Sequence, residues 1–269
     1  GVSEAIVNRQ LAAETVAMID ALPGADTITM PESIKYLTAV EDAKNAYDAL
    51  TTEAKSMVPA AKKQKLEACV LAVSGYKTIV DAKKESLNTD LQGSVSRGLD
   101  DAYGPVFIMN VTDNVSTANS FFKYDMALKD TGHRFFYIYN PTDCEKSINV
   151  WDNWWGELNI GVTLKPGWNK VEFEVTKPID FMFVQMRDGY GELKGEWKVS
   201  SLYGVSEVII NQQLAAKTAR MIDALPKADS INVPESLLYI SVVEDVMRAY
   251  ESLSEEAKGL LTEAQKVKL

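Results

Sequence analysis

Hydrophobic positions change their period twice along this chain. Over the first stretch they recur every three to four residues: Val7, Leu11, Thr15, Met18 and Leu22 share one mostly apolar face, the spacing of an amphipathic helix. Pro23 follows, where a proline stops a helix. Pro31-Glu32-Ser33 opens a second helix, because proline suits the first turn and an acid suits the positive end of the dipole. Its buried stripe is expected at Ile34, Leu37, Val40, Tyr47 and Leu50. Thr51 is the expected N-cap of a third helix running to about Lys84, broken or kinked at Pro59, with Met57, Leu66, Cys69, Val70, Val73 and Ile79 inside. Three helices with short connections predict an antiparallel bundle.

The same pattern returns near the end of the chain. Residues from Gly204 lie over residues from Gly1 without a gap, with roughly 37 identities in about 66 positions, a self-similarity that chance does not produce. Ile210, Leu214, Thr218, Met221 and Leu225 repeat the first stripe, Leu237, Ile240, Val243, Tyr250 and Leu253 the second, and Ser254 stands where Thr51 stood. Leu269 aligns with Leu66, so the third helix of copy two is cut short, and the natural protein is expected to continue.

Between the copies the period falls to two. Short β-rich runs, VFIMNV, FFKY, RFFYIY, SINVW, ELNIGVTL, NKVEFEV, DFMFVQM and EWKVSSL, follow a stretch, QGSVSRGLDDAYGP, read as a linker and a first strand. About eight short strands predict a sandwich or jelly roll. Leu158, Ile160, Val162 and Leu164 point one way, as do Val171, Phe173 and Val175 after the turn at Lys165-Pro166-Gly167. The strands Arg134–Tyr139 and Ser147–Trp151 flank Asn140-Pro141-Thr142-Asp143 and are expected to pair as a hairpin. With Phe136, Ile138, Ile148 and Val150 inward, Phe135, Tyr137, Tyr139 and Trp151 would share one aromatic face. Trp168 and Trp197 are expected in the core. The resulting fold class is multidomain α and β: a three-helix module over 1–87, a jelly-roll-like β-sandwich over 88–203, and a second three-helix module over 204–269 with its third helix incomplete.

Charge and composition then narrow the function. The net charge of -10 repels phosphate backbones and anionic surfaces, which disfavours nucleic acid. No run of about 18 apolar residues is present, so no membrane insertion is expected. Cys69 and Cys144 fall in different modules and make no disulfide framework. The single histidine, His133, excludes a His-rich metal cluster, and no nucleophile elbow, P-loop or dinucleotide fingerprint appears, so no enzyme and no catalytic residue is expected. No cofactor is called for; Asp113, Asn114, Asp125 and Asp143 could join carbonyls around a structural calcium, although their spacing is not that of an EF-hand.

The candidate chemistry lies in Trp151-Asp152-Asn153-Trp154-Trp155-Gly156. Sugar rings stack their C–H faces on indoles while acid and amide groups take the hydroxyls. Trp154 and Trp155 are the foremost site residues, joined by Trp151, Asp152, Asn153, Tyr137 and Tyr139.

Two resemblances bear on this. Ile19-Asp20-Ala21-Leu22-Pro23 and Ala46-Tyr47-Asp48-Ala49-Leu50-Thr51, with their second-copy partners, resemble the small three-helix modules strung along surface proteins of Gram-positive bacteria. That implies a spacer role and an extracellular or cell-surface address. Tyr139-Asn140-Pro141, Leu164-Lys165-Pro166-Gly167-Trp168-Asn169 and Trp197-Lys198-Val199-Ser200-Ser201 resemble jelly rolls of the carbohydrate-binding-module type. The expected partners are a glycan or polysaccharide and neighbouring modules of the same protein. The rival expectation is a structural or adhesive array that binds a protein.

Overall fold

The computed structural model describes residues 3–84, 87–88, 93–112, 120–124, 128, 130–152, 158–180, 182–186, 193–227 and 239–269. The chain divides into two compact units, Gly1–Gly204 and Val205–Leu269.

The first unit opens with helices α1 (Glu4–Ala21), α2 (Leu37–Asp48), α3 (Thr52–Met57) and α4 (Ala60–Ala72), with 3-10 turns at Ala25–Thr27 and Ile34–Tyr36. Thr51 caps α3, its hydroxyl accepting from the Ala54 amide at 3.1 Å and donating to Asn8 Oδ1 at 3.0 Å. That second bond explains a correction. The buried face of α1 is Asn8, Ala12, Thr15 and Ile19, while Val7 and Leu11 are exposed. A polar residue with a guaranteed partner can occupy the inner face, so hydrophobicity alone rotated the expected stripe by one position. The α2 stripe holds: Ile34, Leu37, Val40 and Leu50 are buried. Pro59 is the N-cap of α4 and breaks the third helix there. Met57, expected inside, is 45% exposed.

Helix α4 ends at Ala72 rather than near Lys84. Tyr76–Val80 is strand β1, so Ile79 packs against the sandwich core instead of a helical one. Its Tyr-Lys-Thr-Ile-Val run is β-branched and aromatic, a composition that favours a pleated surface once a sheet edge is at hand.

Strands β2 (Leu87–Asn88), β3 (Gly93–Asp100), β4 (Gly104–Val111), β5 (Ser120–Tyr124), β6 (Gly132–Asn140), β7 (Lys146–Trp151), β8 (Asn159–Leu164), β9 (Gly167–Val175), β10 (Met182–Met186), β11 (Gly195–Ser200) and β12 (Leu202–Val205) complete two sheets. One runs β1-β12-β6-β11-β4-β3 with β9 also on β6; the other runs β2-β5-β10-β7-β8. Phe107, Met109, Phe136, Ile138, Ile148, Val150, Val171, Phe173, Val184 and Trp197 fill the core. Trp197 is fully buried, and its indole N–H donates to the Leu193 carbonyl at 2.8 Å, which satisfies the one polar atom of the largest core side chain.

The expected hairpin of β6 with β7 does not form. Strand β6 pairs with β9 and β11, whereas β7 pairs with β8 and β10 in the other sheet. The turn at Lys165-Pro166-Gly167 likewise carries β8 across to β9 in the opposite sheet. Alternation fixes which side chains point inward but is identical whether two successive strands pair or face each other across a core. Trp168, expected inside, is half-buried on the outer face of β9.

The helices of this unit lie against its seven-stranded sheet. The Thr38 and Thr78 hydroxyls meet at 3.1 Å, the Thr78 amide donates to Glu41 Oε1 at 2.9 Å, and Lys84 Nζ donates to Asp42 Oδ1 at 2.6 Å. Gly104, at φ +74°, closes on the backbone of Lys35, where an added Cβ would sit 3.1 Å from the Lys35 Cα and carbonyl oxygen. Only glycine fits both the left-handed turn and that approach.

The second unit holds α5 (Glu207–Ala224), α6 (Ile240–Glu251), α7 (Glu255–Gly259) and α8 (Glu263–Lys268). Ser254 repeats the role of Thr51, accepting from the Ala257 amide at 3.1 Å and donating to Asn211 Oδ1 at 2.9 Å. Ala215, Ile222, Leu225, Val246, Leu253, Ala257 and Leu261 form its core.

Candidate functional site

The outer face of the five-stranded sheet carries the arrangement with most chemical content. Ile148 and Val150 of β7 and Met182 and Val184 of β10 point into the core, so Asn149, Trp151, Phe183 and Gln185 point away from it. Register places Phe183 directly opposite Trp151 and Gln185 directly opposite Asn149. Two parallel rings, with centroids 6.2 Å apart and planes 3° from parallel, therefore sit one step along the strands from two side-chain amides.

Strand β8 extends this face. Asn159 lies opposite Trp151 and Gly161 opposite Asn149. The Asn149 amide nitrogen donates diagonally to Asn159 Oδ1 at 3.3 Å, and Gly161, opposite Asn149, is exposed. Asn149 is 1% exposed, and its Oδ1 is buried without a hydrogen-bond partner among the described residues. Buried amide oxygens are rarely left so, since each costs about 1–3 kcal/mol. An acceptor of this kind beside an aromatic step suits a ligand with hydroxyl donors and apolar ring faces.

The expected site residues are not all brought together. Trp151 ends β7 on this face, half-buried, and Asp152 follows it, 8% exposed, with its amide donating to the Leu158 carbonyl at 3.3 Å. Asn153, Trp154 and Trp155 lie outside the described residues. Tyr137 and Tyr139 belong to the other sheet and point away from its core, so they share no face with Trp151. This corrects the single aromatic face, and the cause is the crossing between sheets at residues 141–145.

Those tyrosines form a separate cluster. Tyr103 lies 4.2 Å from Tyr137 and 4.4 Å from Trp168 between ring centroids, and Tyr139 meets Trp168 edge-on at 5.5 Å. Tyr137 is 8% exposed, and burial raises its hydroxyl pKa well above the ordinary value, with Tyr103, Glu172 and Glu32 adding to the effect. Its phenol stays neutral and serves packing.

The remaining chemical candidates have structural duties. Asp100 caps the β3–β4 turn, its Oδ1 accepting from the Ala102 and Tyr103 amides at 2.9 and 3.1 Å. His133 pairs with Glu174 across β6 and β9 at 2.5 Å. Among the described residues no group of acidic, His or Cys side chains could hold a metal ion. Of the calcium candidates, Asp113, Asn114 and Asp125 lie outside the described residues, and Asp143 is exposed. Cys69 is buried, which raises its thiol pKa, and Cys144 is exposed.

No family model and no curated protein matches the sequence. Among solved structures, a variant of a family 29 carbohydrate-binding module covers 49% of this chain and 91% of its own length at 18% identity, with a TM-score of 0.30. Another variant of that module, complexed with mannohexaose, covers 48% and 89% at 18% identity with a TM-score of 0.31. A xylan-binding domain of family 22 covers 49% and 96% at 12% identity with a TM-score of 0.34. Likeness at this level leaves the site to be read from its own residues.

Asn149, Phe183, Gln185 and Asn159 are site residues that sequence reasoning passed over. A signal existed: Asn149 is a polar residue between two core positions of SINVW, and Gln185 interrupts the apolar run FVQM. What the sequence lacked was the pairing of β7 with β10, which sets these side chains opposite each other.

Proposed function

We propose that this chain is a non-catalytic segment of a modular bacterial cell-surface or secreted protein, in which the β-sandwich of residues 88–203 binds a glycan between two helical spacer modules. The observation that carries this reading is the buried Asn149 Oδ1, unpaired among the described residues, opposite Gln185 and one step from the parallel Trp151–Phe183 rings. A pyranose offers this face what it lacks: a hydroxyl donor for the amide oxygen and C–H groups for the rings. Asp152, Asn153, Trp154 and Trp155 follow Trp151 directly in the chain and are proposed to line the rim of the same site.

Polysaccharide pull-down and glycan-array binding test the proposal, with cellulose, mannan and xylan as probes. Trp151→Ala is expected to weaken retention at least about tenfold, the equivalent of roughly 1.4 kcal/mol. Trp154→Ala and Trp155→Ala test the rim, and Tyr139→Ala, on the opposite sheet, is expected to leave binding within about twofold. Absence of binding to any glycan, or loss with Tyr139→Ala and not Trp151→Ala, would overturn the assignment.

A second reading, a structural or adhesive array, is favoured by one observation: α2 is bonded to β1 through Thr38, Glu41 and Asp42, so the first helical module also braces the sandwich.

A further inference from the structure

The two helical copies share much of their sequence but not all of their exposure, and among the described residues a clear difference lies around Leu37 of α2 and Ile240 of α6. In copy one Leu37 is fully buried, Thr38 is 5% exposed and Val40 is 1% exposed, and Thr38 bonds Thr78 of β1. Of the aligned residues of copy two, Ile240 is 47% exposed and Ser241 is exposed, with Tyr239 38% exposed beside them, while Val243 is half-buried. By contrast, the faces that hold each module together are buried alike, as at Thr15 and Thr218, Ile19 and Ile222, Leu50 and Leu253, and Ala54 and Ala257.

The polar groups of the first dock are retained as well. Thr38, Glu41 and Asp42, which bond Thr78 and Lys84, align with Ser241, Glu244 and Asp245: a hydroxyl for a hydroxyl and two identical acids. An apolar strip of this kind, edged by the same hydrogen-bonding groups that serve a dock elsewhere in the chain, marks an interaction surface.

We infer that Tyr239, Ile240, Val243, Ser241, Glu244 and Asp245 form a docking face for a β-sandwich of the same kind as residues 76–204. Its edge strand supplies the amide and hydroxyl that Thr78 supplies to copy one, and a basic side chain in the place of Lys84 meets Asp245. Each helical module in an array would then brace the sandwich that follows it, as copy one braces this one. The inference stands apart from glycan binding, since it uses none of the Trp151 face.

Thiol labelling of the full chain tests it. In a Cys144→Ser background the buried Cys69 does not react, so Ile240→Cys and Leu37→Cys report on the two faces. Ile240→Cys is expected to label at least about a hundredfold faster than Leu37→Cys, as open and closed sites do. When residues 67–203 are appended a second time after Leu269, which keeps the repeat in register, labelling of Ile240→Cys is expected to slow about tenfold or more, and Glu244→Lys to restore part of the rate. Should Leu37→Cys not fold, amide exchange of α2 against α6 in the unsubstituted chain gives the same comparison. Unchanged labelling beside a folded appended sandwich overturns the inference. So does an appended sandwich that stays unfolded where the same segment folds after copy one. Labelling that slows with concentration in the unextended chain also overturns it, because the face then binds a second copy of itself.

Discussion

Replacing Asn149 with leucine separates a binding group from a structural one. Among the described residues the side chain, 1% exposed, makes one hydrogen bond, a long one of 3.3 Å to Asn159, while its Oδ1 has no partner. An unsatisfied buried acceptor costs about 1–3 kcal/mol, and a bond near the distance limit returns at most about 1 kcal/mol. Asn149→Leu keeps the shape and removes the orphan, so the sandwich is expected to be unchanged or up to about 2 kcal/mol more stable. Each kcal/mol corresponds to a rise in melting temperature of about 2–4 °C for a unit of this size. All five tryptophans lie between residues 151 and 197, so tryptophan fluorescence during thermal or urea unfolding reports the sandwich alone. Affinity for the retained polysaccharide is expected to fall about ten- to hundredfold, the loss of one well-placed acceptor. Higher stability with weaker binding is the mark of a site kept at the expense of the fold. A loss of about 2 kcal/mol with binding intact would refute the reasoning, because Asn149 would then be holding the sheet together.

Two further outcomes follow from the helices and their dock. Thr51→Ala and Ser254→Ala each remove an N-cap hydroxyl that also bonds an asparagine on the first helix, and each is expected to cost about 1–2 kcal/mol in its own unit, read by urea unfolding followed by circular dichroism. The dock weakens at high pH. The Asp42 carboxylate, with Asp81, holds the Lys84 pKa above its ordinary 10.5, so the folded state binds this proton more tightly than the unfolded one. That stability is complete below the unfolded pKa and is lost as pH rises through the folded one. Unfolding midpoints of the first unit are expected to fall above pH 10.5, and Lys84→Met to remove this part of the fall, whereas an unaltered pH profile in that variant would count against it.

The sequence by itself determined a good deal here. Helical spacing, Thr51, Ser254 and the breaks at Pro23 and Pro59 located the helices, because caps and breakers act on the backbone within a turn of where they stand. Alternation located eight strands and the inward residues Phe136, Ile138, Ile148 and Val150, because the pleat ties every second side chain to one face. The repeat itself was plain from Gly204 onward.

Only the tertiary structure decided which elements meet. The run Tyr76–Val80 reads equally as the end of a helix, and it is a strand because a sheet edge at β12 offers its backbone partners. Strands β6 and β7 are neighbours in sequence yet lie in opposite sheets, which moved Tyr137 and Tyr139 away from Trp151 and brought in Phe183, Gln185 and Asn149. Leu37 and Ile240 hold aligned positions of one repeat, yet the first is fully buried and the second is 47% exposed. Local order is written in neighbouring residues, whereas a binding face or a dock depends on chain segments far apart in sequence, whose pairing no local period records.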